Sequence, residues 1–213
     1  MPSGSSSRVE RYARLVHEIA PGIWHWTAFH AGIKSTVSSY YLPGERVLID
    51  PMAPAEGLDW FAEHGPPTDV LLTNRHHYRS SGRFAERFGA GVHCVREGLH
   101  EFADGELVEP FDFGDELPGG IVAHAVGAIC PDETAFHVPA RQALAVADGA
   151  VRWKAGGPLV FVPDRFMDEP DTTKAGLRES YRRLAELDFR HLLLAHGEPF
   201  VGTGREVLAA FAA

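Results

Sequence analysis

The sequence predicts a layered α/β fold, because short apolar strands alternate with amphipathic helices and Gly and Pro residues mark the joins. The first third of the chain is rich in strand patterns, and the second half again opens with strands before it turns to helix. Each half therefore runs from sheet to helix. No residue-level repeat relates the two halves, so any duplication concerns the architecture alone.

The opening segment predicts antiparallel strands. Three are expected, at Ile23–Phe29, Val37–Leu42 and Val47–Asp50, and the turn residues Pro43-Gly44-Glu45 join the last two. The elements expected next are a helix over Ala55–His64, a strand over Val70–Thr73 and a helix from about Ser80 that stops at Gly89.

The second half predicts the same classes of element in a looser pattern. Strands are expected at Ile121–Val126, Thr134–Val138 and Ala143–Ala147. Apolar residues at helical spacing then predict a helix from about Thr173 to Leu187. A strand over His191–Ala195 and a closing helix over Gly204–Ala212 complete the chain.

Length and composition exclude several classes of protein. A chain of 213 residues suits one domain, expected at 9–213 after a small, polar and flexible tail at 1–8. A net charge of -9 argues against a nucleic-acid partner, and no apolar run approaches the length of a membrane span. The tail lacks a signal-peptide pattern, so a cytoplasmic location is expected. Cys94 and Cys130 lie too far apart for a CxxC site, and both are expected to be reduced and buried.

The most informative segment is Leu71–Gly82, where an apolar strand runs into Asn74-Arg75-His76-His77-Tyr78-Arg79 and then into a helix. It resembles the signature loop of the metallo-β-lactamase-fold hydrolases, in which a strand ends in T-H-x-H-x-D-H. Four other segments resemble that family in the same order, namely Leu48–Pro51 (the strand ending L-I-D), Ala125–Ala128 (T-P-G-H), Ala147–Gly149 (G-D) and Ala195–Gly197 (G-H-G). The resemblance covers nearly the whole chain and implies a four-layer αββα sandwich.

In that family seven positions hold two metal ions, and a bridging hydroxide attacks the substrate. The resemblance places the first metal at Asn74, His76 and Ala128, and the second at Tyr78, Arg79 and His196, with Asp148 as the bridge. Asp50 corresponds to the acid that supports the metal loop. Four of the seven positions carry the wrong residue for a ligand, because Asn74, Tyr78, Arg79 and Ala128 replace His, Asp, His and His. Ala128 offers no donor atom, and the positive charge of Arg79 opposes a cation.

Two interpretations of the remaining residues follow. In the first, the cleft contains a hydrogen-bonded polar cluster without a cofactor, in which Arg79 pairs with Asp148. In the second, His76, Asp148 and His196 hold one zinc or iron ion, with His77 in place of His76 if the loop is rotated. The ordered motifs predict that six side chains converge at one edge of the sheets: Asp50, Asn74, His76, Arg79, Asp148 and His196. The candidates for the lining of the cleft are Asp50, Asn74, His77, Tyr78 and Arg79.

The favoured functional hypothesis is a protein that has lost the dinuclear centre and its usual hydrolase activity, and that binds a small molecule or a protein partner. The alternative is a mononuclear metal-dependent hydrolase that uses His76, Asp148 and His196. No G-x-S-x-G elbow or phosphate-binding glycine motif is present, and Lys154–Pro158 is expected to shape the rim of the pocket. His25 and His30 are candidates to reach the cleft from the aromatic strand, whereas the histidines without a partner at ligand spacing are expected to be structural: His17, His64, His93, His100 and His191.

Overall fold

The computed structural model describes residues 14–103 and 105–213, so the tail predicted at 1–8 lies outside the described residues. The first sheet has seven strands in chain order. They are β1 (Arg14–Ala20), β2 (Ile23–His30), β3 (Ser35–Leu42), β4 (Val47–Ile49), β5 (Asp69–Leu71), β6 (Gly91–Val95) and β7 (Glu109–Phe111). Strands β1 to β4 pair antiparallel, as predicted for the opening, and β4 to β7 pair parallel.

Helices connect parallel strands of this sheet, since a parallel pair needs a crossover. Helix α1 (Asp59–His64) joins β4 to β5, and α2 (Ser81–Phe88) joins β5 to β6. Gly89 ends α2 with φ of 69°, a left-handed conformation that glycine adopts without a Cβ clash. A short 3₁₀ turn, Arg75–His77, stands between β5 and α2 and carries the polar residues of the signature loop.

The second sheet has five strands in the order β14, β11, β10, β9, β8. These are β8 (Glu116–Leu117), β9 (Ile121–Ala125), β10 (Thr134–Val138), β11 (Ala143–Val146) and β14 (His191–Leu194). A two-stranded sheet, β12 (Ala150–Val151) with β13 (Val160–Phe161), follows β11. Helices α3 (Pro170–Leu184) and α4 (Gly204–Ala212) complete the second half. None of the described helices is long and apolar enough to cross a membrane.

Three clusters of apolar side chains lie between the four layers of the fold. The central cluster joins the two sheets through side chains such as Ile49 and Leu71 from the first and Phe136 and Leu193 from the second. A second cluster packs α3 and α4 on the outer face of the second sheet. A third packs α1 and α2 on the outer face of the first sheet. The predicted αββα sandwich is therefore confirmed.

Among the described residues, the structure contains six strands that the sequence did not predict: β1, β6, β7, β8, β12 and β13. Strand β1 was not predicted, because the polar residues His17 and Glu18 interrupt its apolar pattern on an edge strand. Helix α3 begins at Pro170, a few residues before its predicted start, since proline is well suited to the first turn of a helix. Both cysteines are free thiols, as expected, with Cys94 buried and Cys130 only half-buried.

The hydroxyl of Tyr40 links the two sheets directly. It donates a hydrogen bond to the Leu194 carbonyl at 2.8 Å and accepts one from the Leu194 amide at 2.9 Å. Both groups lie in the buried interior, where water cannot replace a lost partner. This contact fixes the end of β14 against β3, immediately before His196.

We expect Tyr40→Phe to lower the free energy of unfolding by about 2 kcal/mol, because two buried backbone groups lose their partner. Urea denaturation of both proteins measures the difference. Tyr41→Phe is the matched control, since its hydroxyl donates to the Gly65 carbonyl and that contact is only part-buried. An equal or larger loss in the control would contradict the special role of Tyr40.

Candidate functional site

The candidate site forms where four strands end. Asp50 follows β4, residues 73–79 follow β5, Asp148 follows β11 and His196 follows β14. Strands β4 and β5 are parallel to each other, and so are β11 and β14, so each pair delivers its carboxyl ends to one edge. Loops at such carboxyl ends are the usual place for a site in a parallel sheet.

The carboxylate of Asp50 holds the signature loop through hydrogen bonds. Its Oδ1 accepts a hydrogen bond from the Thr73 amide at 2.8 Å, and its Oδ2 accepts one from the Thr73 hydroxyl at 2.5 Å. Oδ2 also lies 2.9 Å from His77 Nδ1, which orients the imidazole so that its Nε2 faces the second sheet. Asp50 itself has φ of 48°, a left-handed conformation that Asp tolerates better than most residues.

Asp148 lies at the centre of the cluster. Its Oδ1 is 2.9 Å from His196 Nε2 and 3.3 Å from His77 Nε2, although neither contact has the angles of a hydrogen bond. Its Oδ2 accepts a hydrogen bond from Asn74 Nδ2 at 3.0 Å. One ligand atom from each of His77, Asp148 and His196 lies within 4.8 Å of the other two.

The predicted pair between Arg79 and Asp148 is wrong. Arg79 Nη1 donates to the Ser38 carbonyl at 2.7 Å and to the Asp50 carbonyl at 2.8 Å, while its buried Nη2 has no hydrogen-bond partner among the described residues. Across the described part of the chain, no ion pair within 4.0 Å joins Arg79 to Asp148. Arg79 has a left-handed backbone conformation with φ of 46°. Its guanidinium binds the two backbone carbonyls instead of the Asp148 carboxylate.

His76 lies outside the cluster, contrary to its predicted convergence, and the cleft candidate Tyr78 lies outside it too. His76 is exposed, and its amide donates to the Asn74 side chain that caps the 3₁₀ turn. Tyr78 packs beside Phe102, with ring centroids 5.6 Å apart, in the apolar layer under α2. The tight turn at Arg75–His77 directs His77 inward and His76 outward, so His77 takes the place considered as the rotated-loop alternative.

Ala128 occupies an apolar environment rather than a ligand position. It packs against the cluster under α3, where a Cβ placed on Gly176 would lie 3.2 Å from that of Ala128. The Ala128 side chain therefore lies beside α3 and offers no ligand atom.

Two histidines of the aromatic strand approach the site from β2. His25 is buried, and its Nε2 lies 3.1 Å from the Ser38 hydroxyl. His30 ends β2, and burial and the charges of Arg79 and His77 lower its pKa.

The cluster balances its own charges. Burial and Arg79 lower the pKa of His77, but Asp50 and Asp148 together raise it more strongly, to about 9. Burial raises the pKa of both carboxyls, but His77 and the other partners outweigh it, so the pKa of Asp50 is lowered and that of Asp148 is well below its usual range. The imidazole of His77 and the carboxyls of Asp50 and Asp148 therefore stabilise the charged forms of one another.

An open cleft of about 490 Å³ adjoins this cluster. Its lining includes Phe29, Lys34, Ser38, Trp153 and Glu198, and Ala155 of the predicted rim segment also contributes. Trp153 is about half exposed, and its ring centroid lies 6.3 Å from that of His196. The cleft thus leads from solvent to the polar cluster.

Sequence reasoning missed Glu133, which is fully buried behind Asp148 and accepts a hydrogen bond from the Gly149 amide at 2.7 Å. It also missed Thr73, although this residue follows β5 closely and touches both Asp50 and His77. No spacing marked Glu133, because its contact spans two segments far apart in sequence. Thr73 occupies the first position of the segment that resembles T-H-x-H-x-D-H, so the sequence could have identified it.

Solved structures with the same architecture share this fold. A metallo-β-lactamase family protein from Thermus thermophilus aligns with TM-score 0.65 and 19% identity, over 92% of this chain and 79% of its own. The DIM-1 metallo-β-lactamase aligns with TM-score 0.70 and 11% identity, over 94% and 98%. A metallo-β-lactamase from Erythrobacter litoralis aligns with TM-score 0.66 and 14% identity, over 92% and 95%.

No family profile matches the sequence, and no curated protein matches it either. The assignment of the fold therefore rests on structural similarity. The chain has the metallo-β-lactamase fold, as its ordered motifs predicted.

We expect the stability of the protein to fall as the pH rises from 6.5 to 9. The pKa of folded His77 is about 9, above the unfolded value of 6.5, so its contribution is complete below pH 6.5 and is lost as the pH passes 9. The loss is on the order of 3 kcal/mol. Urea denaturation at several pH values measures it.

Two variants separate His77 from other groups in this pH window. His77→Gln should lose most of the pH dependence, whereas His76→Gln should behave like wild type because His76 is exposed. Burial raises the pKa of Glu133 from 4.5 to about 8, so a smaller pH dependence of the same sign remains in His77→Gln. Equal pH dependence in His77→Gln and wild type would contradict the assignment.

Proposed function

We propose that this chain is a metallo-β-lactamase-fold binding protein without a dinuclear hydrolytic centre, and that its cleft binds a small organic molecule beside the cluster of His77, Asp148 and His196. The observation that carries the proposal is the position of the Arg79 side chain, whose guanidinium binds the Ser38 and Asp50 carbonyls beside the cluster. A fixed positive charge at this place opposes the binding of metal cations.

The residues present do not fit two metal ions. Asn74 uses its side chain to cap the 3₁₀ turn and to hold Asp148, so it is already engaged. Tyr78 and Ala128 lie in apolar layers, and Arg79 adds a fixed positive charge within the cluster. Dinuclear hydrolysis therefore lacks both the ligands and the electrostatic environment it requires.

The cleft suits a small molecule with apolar and polar parts. Trp153 and Phe29 offer exposed aromatic surface, while Lys34, Glu198 and the hydroxyl groups of the lining offer polar contacts. Small-molecule sites typically combine such a largely apolar wall with a few polar groups that fix orientation. At its inner end, a ligand would meet His196 and the hydroxyl of Ser38.

The second candidate function is a mononuclear metal-dependent hydrolase, favoured by the convergence of three ligand atoms within 4.8 Å. His77, Asp148 and His196 fit one zinc or iron ion in the chemistry of their donors, and Asp50 would orient His77 through its Nδ1–H. When bound, such an ion would supply an activated water for hydrolysis. His77 would first have to release its proton, since a ligand nitrogen must be unprotonated.

Metal content distinguishes the two candidates. Protein purified without chelators or metal-affinity steps should carry zinc and iron only far below one ion per chain, and should show little hydrolysis of β-lactams, thioesters or phosphodiesters. Elemental analysis and chromogenic substrates measure both. About one ion per chain, with activity lost on chelation and regained with metal, would support the mononuclear hydrolase instead. About two ions per chain would overturn both proposals.

Ligand binding in the cleft has its own test. We expect a fragment library screened by ¹⁵N NMR to yield binders that shift the Trp153 indole and the Gly197 amide together. Trp153→Ala should weaken those binders by about fivefold, because a lost aromatic contact costs on the order of 1 kcal/mol. Trp60→Ala is the control, since Trp60 stacks on His64 on the outer face. Binders that ignore Trp153, or none in the cleft, would contradict the proposal.

A further inference from the structure

Glu133 is a buried acid that the cleft and the charge balance leave unexplained. Its side chain is 0% exposed, immediately before β10. Oε1 accepts the hydrogen bond from the Gly149 amide at 2.7 Å, whereas the buried Oε2 has no hydrogen-bond partner among the described residues. Burial of a carboxyl group costs free energy. We therefore expect the single hydrogen bond of Glu133 to have a role in the structure.

That contact acts on the residue next to Asp148. The turn after β11 includes Asp148-Gly149, and its backbone lies directly on Glu133 and Tyr181. A Cβ on Gly149 would clash with the Tyr181 hydroxyl and stand 2.9 Å from Glu133 Oε1, so only glycine permits this approach. The side chain of Glu133 therefore limits where the Asp148 backbone can lie.

Glu133 is itself held in register with the signature loop. Its carbonyl accepts a hydrogen bond from the Val126 amide at 2.9 Å, and the next residue, Thr134, donates its amide to the Thr73 carbonyl at 2.8 Å. Thr73 in turn bonds Asp50 and touches His77. A continuous chain of contacts thus joins the backbone of Asp148 to the loop that carries His77.

We propose that Glu133 is a positioning residue, which sets Asp148 between His77 and His196 through the Gly149 amide. The inference rests on the proposed function and deepens it, since the cluster beside the cleft depends on Asp148 lying within 3.3 Å of both imidazoles. Asn74 holds the carboxylate from one side, and Glu133 holds its backbone from the other. A purely structural acid would stabilise the fold without affecting the contacts of Asp148.

The test compares Glu133→Leu, which lacks an acceptor, with Glu133→Gln, which keeps a carbonyl oxygen of the same reach. The readouts are the ¹⁵N chemical shifts of the His77 and His196 imidazoles and the hydrogen exchange of the Gly149 amide, all by NMR. We expect Glu133→Leu to shift the signals of both imidazoles, because Asp148 Oδ1 lies 3.3 Å from His77 Nε2 and 2.9 Å from His196 Nε2 and would move away from them. The Gly149 amide should exchange faster, and Glu133→Gln should restore both values.

Tyr181→Phe is the matched control, because the Tyr181 hydroxyl has no hydrogen-bond partner within the described chain and its removal leaves the Gly149 contact intact. If Glu133→Leu fails to fold, Glu133→Asp shortens the side chain by one methylene and should shift both readouts in the same direction. A folded Leu or Asp variant with wild-type imidazole signals for His77 and His196 and slow Gly149 exchange would overturn the proposal. Neither readout needs a metal or a ligand, so failure of the binding function would be seen separately.

Discussion

The candidate site depends on the buried carboxylate of Asp50. It ties the end of β4 to the loop after β5 through two hydrogen bonds from Thr73, and it orients His77 through Nδ1. Its backbone carbonyl also holds the Arg79 guanidinium. One residue thereby places both cations of the cluster, and an uncompensated charge at this depth would be strongly unfavourable.

The second sheet supplies the other half of the cluster, so the site requires the two sheets to stay in register. Tyr40 fixes the end of β14 two residues before His196. Ser38 adds a further link, because its amide donates to the Ala195 carbonyl and its hydroxyl donates to the Gly197 carbonyl. The packing of the two sheets, rather than the conformation of one loop, therefore sets the distance between Asp148 and His77.

The imidazole of His77 and the guanidinium of Arg79 lie beside the acids of the site. His77 contacts both Asp50 and Asp148, whereas Arg79 binds the backbone carbonyls of Ser38 and Asp50. Opposite charges at these distances stabilise each other, so the pKa of His77 is raised and the pKa values of Asp50 and Asp148 are lowered.

The sequence alone was enough to predict the sandwich, because hydrophobic periodicity and five ordered motifs depend on local residue patterns. It also identified Asp50, Asp148 and His196, each at the end of a strand. Only the tertiary structure decided that His77 rather than His76 faces the cluster, since one residue of rotation in a 3₁₀ turn exchanges buried and exposed side chains. It likewise decided that Arg79 binds carbonyls and that Glu133 stands behind Asp148, because such contacts join segments whose spacing in the chain carries no trace of their meeting.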